Sequence, residues 1–259
     1  MNTHSHSSDT RAAGGRAYQL SSFLWRRSPS WVRAFVSQNQ FAKRAKVNGQ
    51  RFLARYAGRD DVYNGDYYTY VDNEAVRSAP AMVDSIVRHF APRKIVDVGC
   101  GTGALLKTFK GQGVEGVGLE YSSAGLELCK QRGLDAYPFN IESDEQPDFG
   151  RFDLAVCFEV AEHVSAEYAD RLVDFLVKCA PVVVFTAATP GQGGADHVNE
   201  QPHEYWINKF ADRRYQMLQR TSEQWRREWR SRNVAAFYSK NVMIYQQSSQ
   251  VFADSAGVG

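Results

Sequence analysis

The segment that most limits what this chain can fold into is Ile95-Val96-Asp97-Val98-Gly99-Cys100-Gly101-Thr102-Gly103. Its first half is a short β-branched run that reads as a buried strand, and the alternate glycines read as a tight turn into a helix opened by Ala104. A strand ending in such a turn brings backbone close to a ligand and aims helix N-terminal amides at an anion, with glycine wherever a Cβ would collide. The same letters satisfy the relaxed dinucleotide fingerprint, with Ala104 in its third small position, so the loop alone leaves more than one nucleoside-containing ligand open.

The pattern that follows is one of β-branched runs alternating with helical stretches. The runs are Val114 to Leu119, Phe152 to Cys157 and Val182 to Phe185; the helices are Ala104 to Gly111, Ser122 to Arg132 and Ala166 to Cys179. Buried parallel strands joined by crossover helices look like this, and the predicted fold is α/β, a doubly wound, mostly parallel seven-stranded sheet with a helical N-terminal extension. A helix is predicted over Glu74 to Phe90, preceded by a tyrosine-dense segment, 61–70, expected to act as a lid. Pro202 to Asn233 reads as helical and polar. Val234 to Tyr238 and Val242 to Tyr245 read as a final strand pair around Ser239-Lys240-Asn241.

Two acids narrow the choice of ligand. Asp97 lies two residues before the first glycine, poorly placed beside a pyrophosphate but well placed to attract an ammonium group. Glu120 ends the second strand, where a carboxylate can accept from both hydroxyls of a ribose.

With those residues in place the chain resembles the class I S-adenosylmethionine (SAM)-dependent methyltransferase superfamily, over residues 90 to 190. Residues 95–103 match its first motif, Gly118-Leu119-Glu120-Tyr121-Ser122 its second, and the run from Phe152 through Glu159-Val160-Ala161-Glu162-His163-Val164 its fourth-strand motif. The resemblance implies a Rossmann-like fold, SAM as cofactor, and a cofactor site made by Asp97, Gly99, Cys100, Gly101, Gly103, Glu120, Tyr121, Asn140, Ile141 and Glu159. Where the family usually places an acid after strand three, this chain has Asn140, whose amide oxygen can also accept a proton from the adenine amine. Residues 190–206, with His197-Val198-Asn199-Glu200-Gln201-Pro202 and Glu204-Tyr205-Trp206, resemble bacterial methyltransferases associated with surface glycans and specialised metabolites. That points to a hydroxyl of a small metabolite or glycan as acceptor.

The acceptor is expected beyond the fourth strand. Glu159, Glu162 and His163 are spaced to share a helical face there, and His163 is the first candidate for removing the acceptor's proton. His197, in a Gly-rich stretch after strand five, is the second. The alternative for Glu162 and His163 is a purely loop-fixing role. Together Glu159, Glu162, His163 and His197 make a possible divalent-metal set, since mixed oxygen and imidazole ligands suit Mg, Mn, Zn or Fe. Tyr67, Tyr68, Tyr70 and Trp206 are candidate stacking walls.

Charge divides the chain unevenly. Residues 1–59 carry 11 Lys/Arg and one acid, leaving 20 bases and 28 acids in the rest. The predicted organisation is a basic N-terminal extension over 1–60, helical after Ser28-Pro29, a methyltransferase domain over 61–250 and a flexible tail over 251–259. The basic arm either docks on the acidic body or meets an external anion, and its Arg-rich, Ser-containing composition also resembles a transit peptide. An RNA methyltransferase using that arm, without any recognisable RNA-binding module, and a non-catalytic nucleotide-binding module are the alternative readings. Cys100, Cys129, Cys157 and Cys179 are spaced as buried free thiols, and no run is long enough to span a membrane, so a cytoplasmic location is expected.

Overall fold

The computed structural model describes residues 65–194 and 196–248. The expected basic extension, its helix after Ser28-Pro29 and the tail at 251–259 lie outside the described residues. Seven strands form one sheet: β1 (Lys94–Val98), β2 (Glu115–Glu120), β3 (Ala136–Pro138), β4 (Leu154–Phe158), β5 (Val182–Thr186), β6 (Tyr215–Met217) and β7 (Met243–Gln247). Their order is β3-β2-β1-β4-β5-β7-β6. The first five are parallel, and β7 runs antiparallel between β5 and β6.

Successive side chains of a strand face opposite ways, so runs that are apolar throughout must be covered on both faces. On one face Val96, Val98, Ala155, Cys157, Val183 and Phe185 pack against α4 (Ala169–Cys179) and α5 (His203–Ala211) through Leu172, Leu176, Trp206 and Phe210. On the other, Ile95, Leu154, Val156, Phe158 and Val184 meet α1 (Gly65–Phe90), α2 (Ala104–Gly111) and α6 (Gln219–Ser231) through Met82, Ile86, Leu106, Phe109, Trp225 and Trp229. The remaining α-helices among the described residues are α3 (Ser123–Gln131) and α7 (Ala236–Asn241). All four cysteines are buried and unbridged.

Two expectations fail here. The segment read as the strand Val234 to Tyr238 instead enters α7, and β7 finds its antiparallel partner in Tyr215–Met217, inside the stretch read as helical. Only Val234 in that run is β-branched, and Ala235 is held by its amide on Ser78 Oγ (3.0 Å), which leaves the next residues to coil up as α7. The short β6 is secured by Tyr215, whose hydroxyl sits 2.9 and 2.8 Å from the carbonyls of Val177 and Ala180. Of the segment 61–70 read as a lid, 61–64 lie outside the described residues. Residues 65–70 are the opening turns of the 26-residue helix α1, continuous with the body of the helix.

Candidate active site

A cavity of about 690 Å³ opens at the carboxyl ends of β1, β2 and β4. In doubly wound sheets this is the crevice where connections leave for opposite faces, because β1 sits between β2 and β4. Of the twelve residues assigned from the sequence to cofactor binding or proton removal, eleven line it: Asp97, Gly99, Cys100, Gly101, Glu120, Tyr121, Asn140, Ile141, Glu159, His163 and His197. Gly103 stands behind the wall as the residue that opens α2.

The loop from Gly99 to Gly103 is closed on itself. Gly99 and Cys100 both donate their amides to the Leu119 carbonyl (2.7 and 3.1 Å), and Gly103 donates to the Cys100 carbonyl (2.9 Å). The Gly101 amide goes to Glu120 Oε2 (2.7 Å), while Glu120 Oε1 takes the Ser122 amide (2.8 Å). The amides of these four residues are therefore spent inside the protein. Their glycines answer to the protein itself. All three have positive φ, and a Cβ would lie 2.2 Å from Val160 Cγ2 at Gly99 and 2.5 Å from Leu134 Cδ1 at Gly103.

Asp97 is 1% exposed, and its Oδ2 has no hydrogen-bond partner. Burial, with the charge of Glu120 added, pushes its carboxyl up to about 8. A buried acid facing a second acid is a strong attractor for a cation. Asn140, just past β3, has its side-chain oxygen engaged by the Glu142 amide (2.9 Å), which leaves one lone pair and both amide hydrogens for a ligand.

Helix α1 is fastened to this loop. Arg132, at the end of α3, pairs in bidentate fashion with Asp72 (2.9 and 2.7 Å) and donates to the Thr102 carbonyl (2.8 Å), and the Thr102 hydroxyl donates to Asp72. Burial alone would raise the Asp72 carboxyl, but the Arg132 and Thr102 hydrogen bonds outweigh it and hold it below its usual value. The clasp puts Glu74 and Ala75 of α1 into the cavity wall.

At the other end stand the two histidines. The expected helical face is a single 3₁₀ turn, Ala161–His163, with Glu159 before it in the left-handed region at φ 54°. The Glu162 carbonyl accepts the amides of Val198 (2.9 Å) and Asn199 (3.0 Å), which brings the loop after β5 against this turn. The rings of His163 and His197 meet edge to face, 4.9 Å between centroids. Glu162 is fully buried; Oε1 takes the Ala188 amide (3.2 Å) and Oε2 has no partner. Burial first, then the charge of Glu159, raises the Glu162 carboxyl well above its usual range. Burial likewise brings Glu159 to about 7, although hydrogen bonding with Thr186 and Gln192 pulls it down.

Donor atoms of Glu162, His163 and His197 lie within 4.8 Å of one another. Glu159 falls outside that group, its Oε2 held by Gln192 (3.1 Å), which in turn accepts from Asn241 on α7 (2.8 Å). Trp206 is no stacking wall: it is fully buried, 5.2 Å from Phe185 between ring centres. The side chains of Tyr67, Tyr68 and Tyr70 are outside the described residues. The histidine end of the cavity is completed by Phe237, Tyr238 and Lys240 of α7, which sequence reasoning missed because it read 234–238 as a strand and 239–241 as the turn after it.

This is the arrangement of a nucleoside-binding doubly wound sheet with a polar reaction chamber beside it. A family model described as a methyltransferase domain matches residues 72–236, and the chain belongs to that family, among the class I SAM-dependent methyltransferases. A ubiquinone biosynthesis O-methyltransferase of Alkalilimnicola ehrlichii is 36% identical over 78 residues, 28% of this chain and 32% of that protein. The chain thus spans about a third of that relative's length. Among solved structures, an O-methyltransferase family protein from Burkholderia thailandensis has a TM-score of 0.53 at 14% identity, covering 74% of this chain and 63% of its own. The magnesium protoporphyrin IX methyltransferase of Synechocystis PCC 6803, with bound S-adenosylhomocysteine (SAH), has a TM-score of 0.51 at 14% identity, covering 69% and 88%. At such identities the likeness is one of fold. Among the described residues no helix is long and apolar enough to cross a membrane.

Proposed function

We propose that the chain transfers the methyl group of SAM to a hydroxyl of a small molecule, with the cofactor along the glycine loop and the acceptor beside the histidines. The observation that carries this reading is the polarity of the loop. Its amides at Gly99, Cys100, Gly101 and Gly103 are spent internally, while Asp97 Oδ2 is buried and unmatched. A pyrophosphate would meet two carboxylates there and none of those amides; the ammonium of a methionine moiety would meet its counter-charge. Glu120 then accepts from the ribose hydroxyls, Asn140 and the buried Ile141 flank the adenine, and Tyr121 covers the outer side.

Bound SAM supplies an electrophilic methyl on a sulfonium. The chain's own contribution is position: it fixes the cofactor from β1 and β2, holds the acceptor against α7, and places His163 and His197 to take the hydroxyl proton as the oxygen attacks. The relatives named O-methyltransferases support oxygen as the acceptor atom, and a small metabolite or sugar suits a cavity of this size. The unmatched Glu162 Oε2 beside both rings also fits a divalent cation held by Glu162, His163 and His197, which would make the acceptor hydroxyl more acidic. No observation among the described residues favours RNA as the acceptor.

The test is calorimetric titration with SAH on the wild type and Asp97→Ala, with NAD as control. Micromolar SAH binding that the substitution removes supports the reading. Absence of SAH binding, or a preference for NAD, overturns it.

A further inference from the structure

We propose that Glu200 is the positioning residue of this site: it holds His197, and the loop that carries it, so that the neutral imidazole keeps its hydrogen on Nδ1 and its lone pair on Nε2. The inference rests on the reading that His197 serves the acceptor end, and adds to it the group that makes the ring fit for that use.

Glu200 has no place in the cavity wall, yet its side chain is only 9% exposed and gathers three donors. Its Oε1 accepts from the Gly193 amide (2.7 Å) and from His197 Nδ1 (2.9 Å), and its Oε2 from the Gly191 amide (2.8 Å). An ionised carboxylate only accepts, so the hydrogen of a neutral His197 ring is on Nδ1 and Nε2 carries the lone pair. The two glycine amides serve a second purpose. They draw the loop under the ring so closely that a Cβ at Gly194 would lie 2.1 Å from His197 Nε2 and 2.5 Å from Cε1. His197 is therefore seated on bare backbone, and the seat is made by the same carboxylate that sets the tautomer.

The loop does the same for the other ring. His163 Nδ1 lies 3.1 Å from the Asp196 carbonyl, an acceptor only, so a neutral His163 also carries its hydrogen on Nδ1. Asp196 presents that carbonyl from the left-handed region, at φ 56°. Glu200 and the Asp196 carbonyl thus orient the two imidazoles, and Glu200 is the group that also holds the amides of Gly191 and Gly193. Such outer hydrogen-bond partners commonly change the behaviour of the ring they hold by about 10–100-fold when removed.

The experiment reads the tautomer directly and needs no acceptor. The full chain is labelled with ¹⁵N-histidine, and long-range ¹H–¹⁵N spectra are recorded above neutral pH for wild type, Glu200→Gln and Glu200→Ala, with His197→Gln to assign the signals. The wild type should show His197 with a protonated Nδ1, in excess over the other tautomer by about tenfold or more, as a charge-assisted bond imposes. Both variants should move His197 toward a mixture while the protein stays folded and keeps its SAH affinity. Glu200→Gln preserves the shape of the side chain should Glu200→Ala loosen the loop. An unchanged His197 signature in either folded variant, or a wild-type ring protonated on Nε2, overturns the proposal. The spectra do not depend on SAH binding, so failure of the cofactor reading would be seen separately in the calorimetry.

Discussion

The two ends of the cavity meet opposite electrostatic conditions. At the glycine-loop end the backbone is satisfied and a side chain is not: four loop amides have internal acceptors, while Asp97 keeps a buried oxygen with no donor. At the histidine end both rings are already oriented, one by a carboxylate and one by a carbonyl. The first end carries an unmatched acid that a cationic ligand answers; the second, although Glu162 Oε2 is unmatched there too, holds its rings in place before any ligand arrives. Binding energy should therefore concentrate at the loop, and rate at the rings.

The sharpest way to break that contrast is at the rings. His163→Ala and His197→Ala should each reduce methyl transfer to a hydroxyl acceptor by about 10²–10⁴-fold, measured as initial rates, with SAH affinity by calorimetry unaltered. A parallel loss of SAH affinity would show that the ends do not act separately. Asp97→Asn should do the reverse, weakening SAH by about 2–5 kcal/mol.

That same substitution should make the protein without ligand more stable, by an amount that depends on pH. The folded carboxyl of Asp97 titrates at about 8 against an ordinary value of 3.8. Its proton is thus held more tightly in the folded state, its contribution to stability is complete below 3.8, and that contribution is lost as pH rises toward 8. The melting temperature of Asp97→Asn should exceed that of the wild type by a margin that widens over this window and then levels off; a margin that shrinks would contradict the assignment. A bound ammonium favours the carboxylate, so SAH binding between these limits should release about one proton. Calorimetry in buffers of different ionisation enthalpy measures it, and the release should vanish in Asp97→Asn.

The smallest expected effect tests how far the loop end depends on its clasp. Arg132→Ala removes the bidentate pair with a partly exposed Asp72 and the bond to the Thr102 carbonyl. A loss of about 1 kcal/mol in thermal stability, with a several-fold weaker SAH affinity, is expected. Equal SAH affinity would mean that α1 and the loop are independent.

The same contrast explains what could be read from the sequence. The loop end is built from residues 97–120, one strand-turn-helix-strand unit, and every part of it has a local signal: β-branched runs, glycines at alternate positions, an acid at each strand. The histidine end joins a 3₁₀ turn after β4, a loop after β5 and the short helix α7, and nothing local announces that these meet. His163 and His197 were found by residue type and by their place after strands. Glu200 has no local signal of its own, because its role depends on amides at Gly191 and Gly193 that fold back onto it. Reading 234–238 as strand hides Phe237, reading 239–241 as a turn hides Lys240, and the chemistry of Trp206 suggests the site when packing against Phe185 claims it.

The position of β7 has a consequence for how such a chain comes off the ribosome. It is the last described strand to be synthesised, yet it lies between β5 and β6, and both pair with it. While the chain is still emerging, the edge of β5 is therefore open, with Val182–Thr186 fully apolar but for its final threonine. An exposed strand of that kind invites pairing with another nascent chain. Conditions that slow or truncate synthesis before residue 243 should thus favour aggregates over partly folded monomers, a vulnerability that the finished sheet conceals.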